Sequence, residues 1–484
     1  MKRIVFFLFA LLLTATTQGQ NLLTLDSCRS MALANNKRLL IGEKEIEKAG
    51  YDNKAAKTNY LPKLKVTAAY FRNSRETHLL NNSTRHKLNN LGSSIAQPLA
   101  SVAQIVEKYH PELTDALNEF GNNVIDEFSG VGKKINEGFE TDTRNMFAGA
   151  LTITQPLYMG GKIRAYNEIT DYAKQIAEEK HRGGAQEVVL EVDEAYWRVV
   201  SLANKKKLAE SYVNLLKHLD DDMQKMIKEG VATKANGLTV SVKLNEAEMT
   251  LTKVDNGLTL SRMLLCQLCG MPIESNFTLE DEQKEQLAPV KNNAAFDMNQ
   301  AYVNRPELRS LELATKIYDK KIQIARSEFL PQVVLTGNYM LTNPSVYNGF
   351  EKKFKGMFNV GVMVSAPLFE WGENKYKIRA AKSEAAIAKY ELEEAKEKIE
   401  LQVNQQSFRV KEAEKTLARA RKNCESADEN MKTANAGFKE GVIPTSDLLA
   451  AQTAWVSAHS EVIDAEINAR LTQVYLKKSL GTLE

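Results

Sequence analysis

Two patterns of apolar and polar positions alternate along the chain. In the first, apolar residues recur at every second position. Leu64, Val66, Ala68 and Tyr70 share one face of such a run, and Val333, Leu335, Gly337 and Tyr339 share one face of another. Each run follows a Leu-Pro pair, where proline cannot continue a helix. Two further runs, with Phe147, Gly149, Leu151 and Ile153 on one face and Phe358, Val360, Val362 and Val364 on the other copy's, precede a Pro-Leu-aromatic. The opposite faces carry Ala148, Ala150, Thr152 and Thr154, then Asn359, Gly361, Met363 and Ser365. This alternation predicts strands at about 63–72, 147–156, 332–341 and 357–367. It suits a membrane-spanning strand and also a soluble, half-buried one.

The second pattern is helical and very long. No proline occurs from Leu157 to Met271 or from Leu368 to Ile443. Roughly 70 helical residues reach about 100 Å at about 1.5 Å per residue. Ile378, Ala381, Ala385, Ala388, Leu392, Ala395 and Ile399 step alternately by three and four, a heptad seam of small residues suited to close packing. Gly183-Gly184 suggests a local bend in the first long helix. Each long helix is expected to stop at a glycine turn, Gly230 or Gly441, from which a second helix returns. Pro444 and Thr445-Ser446-Asp447 supply the start signal for the second return helix.

These elements occur twice. Ala55 to Pro62 matches Ile324 to Pro331 at an offset of 269, while Gln155-Pro156-Leu157-Tyr158 matches Ala366-Pro367-Leu368-Phe369 at an offset of 211. The second offset holds through Lys228-Glu229-Gly230-Val231 against Lys439-Glu440-Gly441-Val442, and on to Gly270 against Gly481. The chain is therefore a tandem duplication, with a first repeat over 21–270, a linker over 271–298 and a second repeat over 299–484. The first copy carries an insertion between its strands, at about 73–145, polar and Asn-rich and then amphipathic from Ala103 to Tyr109 and from Leu113 to Phe128.

Composition narrows the function. Lys2 and Arg3 precede an apolar run from Ile4 to Leu13, and small residues follow at Thr17-Gln18-Gly19, so residues 1–20 read as a secretory signal. No later apolar run approaches the roughly 18 residues of a membrane helix. The formal charge is +3 and falls to +1 without Lys2 and Arg3, which gives no nucleic-acid footprint. Cys266 and Cys269 lie three apart in a helical pattern, with Cys28 and Cys424 distant in sequence; they read as small buried apolar side chains. His78, His86, His110, His181, His218 and His459 form no metal-ligand pair at helical spacing. Gly130 to Lys134 lacks the first glycine and the Ser/Thr of a phosphate loop, no Gly-x-Ser-x-Gly occurs, and Glu393-Glu394 reads as a solvated face. No enzyme, cofactor or metal is expected.

Four strands cannot close a barrel, and lipid does not tolerate open edges. Two chains would supply eight strands and a filled interior; three would supply twelve and a lumen. A conduit thus predicts a trimer. The competing reading is a periplasmic coiled-coil scaffold without a pore.

Helix, Leu-Pro, strand, strand, Pro-Leu-aromatic, long helix and glycine-tipped hairpin, given twice, resemble the TolC-like outer membrane factor family. The most specific pieces are Leu23-Thr24-Leu25 leading to Ala32-Leu33-Ala34-Asn35-Asn36, the pairs Tyr60-Leu61-Pro62 and Phe329-Leu330-Pro331, Gly441 to Gln452, and Ser479 to Leu483. The resemblance implies a mainly α chain with a small β part. Three copies would form a twelve-stranded outer-membrane β-barrel continued by a periplasmic α-helical barrel. It implies a homotrimer in outer-membrane lipid that meets a periplasmic adaptor and an inner-membrane transporter through the tips at Gly230, Val231, Gly441 and Val442. It further places Asp447, Phe438 and Asn236 at a pore constriction, with Ala450 where some members carry a second acid and Ile443 where they carry an arginine. Tyr158, Phe369 and Trp371 read either as aromatic anchors at the periplasmic interface or as side chains packed under the barrel's rim. Drug, metal, small-molecule and protein cargo all stay open.

Overall fold

The computed structural model describes residues 21–75, 80–109, 111–140, 142–284, 296–347 and 351–483. The expected signal peptide lies outside them. In chain order, β1 (Asn21–Leu23), α1 (Leu25–Asn35) and α2 (Lys37–Lys57) lead to β2 (Lys63–Arg72). Helices α3 (Asn82–Asn89), α4 (Leu91–Tyr109) and α5 (Thr114–Gly138) fill the insertion before β3 (Asn145–Met159). Then come α6 (Lys162–Lys228), α7 (Lys234–Cys269), β4 (Phe277–Leu279), α8 (Met298–Asn304) and α9 (Pro306–Ser327). Strands β5 (Gln332–Asn343) and β6 (Lys355–Ser365) and helices α10 (Glu373–Lys439) and α11 (Thr445–Ser479) complete the second copy. Two compact units result, one of Ala55–Ala165 with Gln323–Ile378, the other of the remaining helical segments.

The first unit is built on a four-stranded antiparallel sheet ordered β2-β3-β5-β6. Its register aligns the alternating sets of all four strands: Val66 opposes Leu151, Leu151 opposes Tyr339, and Tyr339 opposes Phe358. A slip of one residue would send every apolar side chain to the other face, so this row is the signature of a specified face. Strand β3 runs past the point where its alternation ends in the sequence. Pro156 has no N–H for the ladder, the register shifts there through a bulge, and pairing resumes at Tyr158 against Val333.

The insertion is helical rather than irregular. Asn81 caps α3 by accepting from the Thr84 N–H at 2.8 Å, and glycines let α5 pack closely on both α4 and α3. A Cβ on Gly92 would fall 2.2 Å from the Ile125 carbonyl oxygen, and one on Gly132 would fall 1.9 Å from that of Leu88. Only glycine allows helix backbones to approach so closely.

In the helical unit α6 and α10 are each 67 residues long, about 100 Å at about 1.5 Å per residue. Gly183-Gly184 does not interrupt α6. A Cβ on Gly183 would stand 3.6 Å from Pro306 and one on Gly184 3.9 Å from Leu39, ordinary contacts in both cases. The heptad seam of α10 faces inward, with Ala385, Ala388 and Ile399 buried and Leu392 and Ala395 half-buried against Ala301, Leu308, Leu476 and Leu480. A further buried core gathers Val192, Tyr196, Trp197, Leu265 and Phe277. Cys28, Cys266 and Cys269 all lie in that core as free thiols. Their separation in sequence is misleading, because the Cys269 thiol reaches the Cys28 carbonyl at 3.6 Å.

A short parallel sheet, β1 with β4, joins the start of the first copy to the linker. Beside it Tyr196 donates to Asp281 at 2.7 Å, and Arg262 pairs with Glu282 at 2.7 Å. Nearby, Arg29 grips the fully buried Asp193 through two bonds of 2.7 and 2.5 Å. Burial raises the Asp193 pKa, and the Arg29 guanidinium works against that rise.

Candidate functional site

One face of the sheet is apolar across all four strands and is exposed. Leu64 and Val66 on β2, Leu151 and Ile153 on β3, Leu335 on β5, and Val360, Val362 and Val364 on β6 are all exposed, Val66 to 74% and Val360 to 72%. The other face carries polar pairs: Asn338 donates to Asn359 at 3.0 Å and Thr336 to the Gly361 carbonyl at 3.4 Å. An apolar face backed by a more polar one is the pattern of a strand with lipid on one side and a lumen on the other. The outermost strands, β2 and β6, each have one edge unpaired among the described residues.

Aromatic side chains mark both ends of the apolar band. Tyr158, Phe369 and Trp371 lie at the end where the strands meet the long helices, and Phe369 and Trp371 pack edge to face at 4.9 Å. All three are exposed. Trp371 sits at φ +49°, matching Gly160 at φ +61° in the first copy; this is a left-handed conformation that a side chain rarely adopts. The opposite end carries Tyr70, Phe147 and Phe354, with ring centroids 4.7 and 5.9 Å apart in succession. The sequence reading missed this second girdle because Tyr70 and Phe147 looked like ordinary members of their strands and Phe354 belongs to neither. The loops beyond it are charged: Arg144 and Lys352 bind Asp142 and hold its carboxyl well below the usual range.

At the far ends of the long helices the two copies repeat each other bond for bond. Gly230 and Gly441 adopt φ +75° and +70°. Val231 donates to the Met226 carbonyl at 2.8 Å, as Val442 does to Gly437 at 2.8 Å. Gly230 donates to Ile227 at 3.1 Å, as Gly441 does to Phe438 at 3.0 Å. Both are Schellman turns, which need the left-handed residue. Val231 and Val442 are 71% and 78% exposed.

The two tips share one core. Leu216, Met223 and Val240 of the first hairpin pack with Leu448, Leu449 and Ala451 of the second, and Phe438 and Ile443 lie half-buried against them. Asp447 is exposed in the first turn of α11, where the Ser446 hydroxyl donates to it at 3.1 Å. Asn236 holds the equivalent place on α7, and its carboxamide oxygen accepts from the Thr233 hydroxyl at 3.0 Å. Among the described residues Asp447 and Asn236 do not bond to each other. Thr233 caps α7, whereas its counterpart Pro444 has no side-chain acceptor, so α11 starts without such a cap.

The sequence model of the outer membrane efflux protein family matches residues 127–271 and 298–482. The chain belongs to the outer membrane efflux protein family. The match begins late in the insertion and takes in both helical hairpins. Among curated proteins, the alkaline protease secretion protein AprF of Pseudomonas aeruginosa is 23% identical over 346 residues, 70% of each chain. Among solved structures, the outer membrane channel CmeC of Campylobacter jejuni superposes with a TM-score of 0.74 at 15% identity, over 95% of this chain and 86% of that one. The outer membrane channel MtrE of Neisseria gonorrhoeae gives a TM-score of 0.68 at 17% identity, over 95% and 89%. Family and fold agree on an outer membrane efflux protein, mainly helical with a small sheet. No described helix is long and apolar enough to cross a membrane; the sheet is the element with a lipid-compatible surface.

Proposed function

We propose that three copies of this chain close into a passive conduit across the outer membrane, continued by a helical barrel in the periplasm. The observation that carries this reading is the continuous exposed apolar face of a sheet with two unpaired edges. In lipid an open edge leaves backbone groups without partners. Joining β6 of one copy to β2 of the next removes every edge and preserves the antiparallel alternation. Three copies of four strands give twelve, wide enough for a lumen. Exposed apolar residues on the helices support the same assembly: Leu238, Val242, Met249 and Leu260 on α7, and Ile387, Tyr390, Leu401 and Phe408 on α10, are left for neighbouring copies to cover.

In this assembly Tyr158, Phe369 and Trp371 anchor the periplasmic interface and Tyr70, Phe147 and Phe354 the outer one. The valines at the two tips, Val231 and Val442, dock a periplasmic adaptor, which links the channel to an inner-membrane transporter. A ring of three Asp447 side chains lines the constriction, with Asn236 beside it and Phe438 packed behind. Residues 1–20 direct export, the two repeats form the body, and the helical insertion lies on the outer face. Its work is conduction, not catalysis. Imaging of detergent-solubilised protein is expected to show a three-fold cylinder, whereas recovery of a soluble monomer or dimer without detergent would sink the proposal and favour a scaffold.

A further inference from the structure

One cluster of chemically competent side chains takes no part in the channel reading. Cys424 and Asp428 lie one turn apart on α10, and His459 faces them from α11. A sulfur, a carboxylate oxygen and an imidazole nitrogen from these residues all lie within 4.8 Å of one another. His459 Nε2 is 2.9 Å from Asp428 Oδ1, and the Trp455 indole donates to the same oxygen at 2.7 Å. The Trp455 and His459 rings are in contact, with centroids 4.4 Å apart. Cys424 and His459 are half-buried and Asp428 is exposed.

An Asp–His pair with a tryptophan donor is by itself an ordinary surface contact. The thiol changes the chemistry, because its sulfur comes into the same small triangle from one turn away. We propose that Cys424, Asp428 and His459 bind one borderline divalent cation of the Zn2+ class and thereby clamp α10 to α11. Thiolate, imidazole and carboxylate are the donors such ions select, while Mg2+ and Ca2+ prefer oxygen throughout. Bond lengths of about 2.0 to 2.3 Å set tetrahedral donors about 3.3 to 3.6 Å apart, a closure within reach of side-chain rotation. Three protein ligands leave a fourth position for water. Trp455 acts one step out, orienting the carboxylate through its N–H, as outer partners of metal ligands do.

The site has a mechanical consequence. Asp428 precedes Gly441 by 13 residues, so about 20 Å of helix separates it from the turn. The flanking cross-helix pairs are polar, Arg421 with Glu466 at 2.8 Å and Asn423 with Glu461 at 3.5 Å, and pairs of this kind hold helices weakly. A bound ion adds a firm link between the two helices that carry the second tip.

The test is a Co2+ titration of the chelator-treated, full-length protein in detergent, read by absorption. One equivalent per chain is expected, with a thiolate-to-metal charge-transfer band that Zn2+ displaces. Cys424→Ser is expected to abolish the band, His459→Gln and Trp455→Phe to weaken binding about tenfold or more, and Cys269→Ala to leave it intact. No thiolate band, or one that survives Cys424→Ser, overturns the proposal. If Cys424→Ser does not assemble, alkylation of the wild-type protein decides the matter. Zn2+ is expected to protect Cys424, as located by peptide mapping, and labelling unchanged by Zn2+ rejects the site.

Discussion

Asp447 shows how far a single side chain can be read. It stands exposed in the first turn of α11, where the helix dipole favours an acid, and the Ser446 hydroxyl is its bonded partner. Its repeat counterpart is the neutral Asn236, so each chain offers one acid at this level. In the proposed trimer three such carboxylates would surround the pore and attract cations, and Asp447→Ala is therefore expected to reduce cation preference in planar bilayers; unchanged selectivity would remove Asp447 from the constriction. Asp193 makes the opposite case, a charge kept for structure. It is fully buried, with Arg29 as its bidentate partner. Asp193→Ala leaves that guanidinium with only the exposed Asp26, 3.6 Å away, and is expected to cost about 3–5 kcal/mol, seen as a lowered melting temperature by circular dichroism. The double change Arg29→Met with Asp193→Leu should recover most of the loss, because it removes both charges together.

At the scale of the element, the period of the apolar pattern did most of the work. Period two placed the four strands, and the shared parity of Val66, Leu151, Tyr339 and Phe358 became a single row once paired. Period three-and-four placed the long helices, and Gly230 and Gly441 marked their ends because a Schellman turn needs a left-handed residue. The lipid-facing assignment makes a sharp contrast on one strand. Val360→Lys at the middle of β6 is expected to cost about 2–4 kcal/mol per chain, while Asn359→Lys, next to it on the polar face, should be tolerated. The yield of assembled protein in outer-membrane fractions measures the difference, and equal yields would contradict a membrane strand. Other elements were not legible. The continuation of β3 beyond Pro156 depends on a bulge against β5, and β1 with β4 are three-residue strands held by each other and by the core that buries Phe277 and Leu279. The glycines at 183 and 184 suggested a bend, yet the helix runs through them without interruption.

For the whole molecule the unpaired edges of β2 and β6 are where we propose the copies join. Head-to-tail closure predicts that a cysteine at Val66, combined with cysteines placed in turn along β6 from Phe358 to Val364, will cross-link neighbouring copies. Non-reducing gels are expected to show dimer and trimer bands and none larger. A ladder continuing beyond three would mean an open array, and monomer alone would mean that these edges do not meet. The shared core of the two tips belongs to this scale as well. Leu216 and Met223 pack with Leu448 and Leu449, so a change in one hairpin reaches the other through a common apolar surface.

The sequence by itself determined the duplication, the four strands, the two long hairpins and the family, because each depends on local period, proline and glycine placement, or order along the chain. Tertiary structure alone decided which residues meet across elements. Cys28 joined Cys266 and Cys269 in one core. Tyr70, Phe147 and Phe354 formed a girdle, and Cys424, Asp428 and His459 converged from two antiparallel helices. A search for ligand spacing along one helix could not find that last group, since helical periodicity specifies the face a residue occupies but not the partner opposite it.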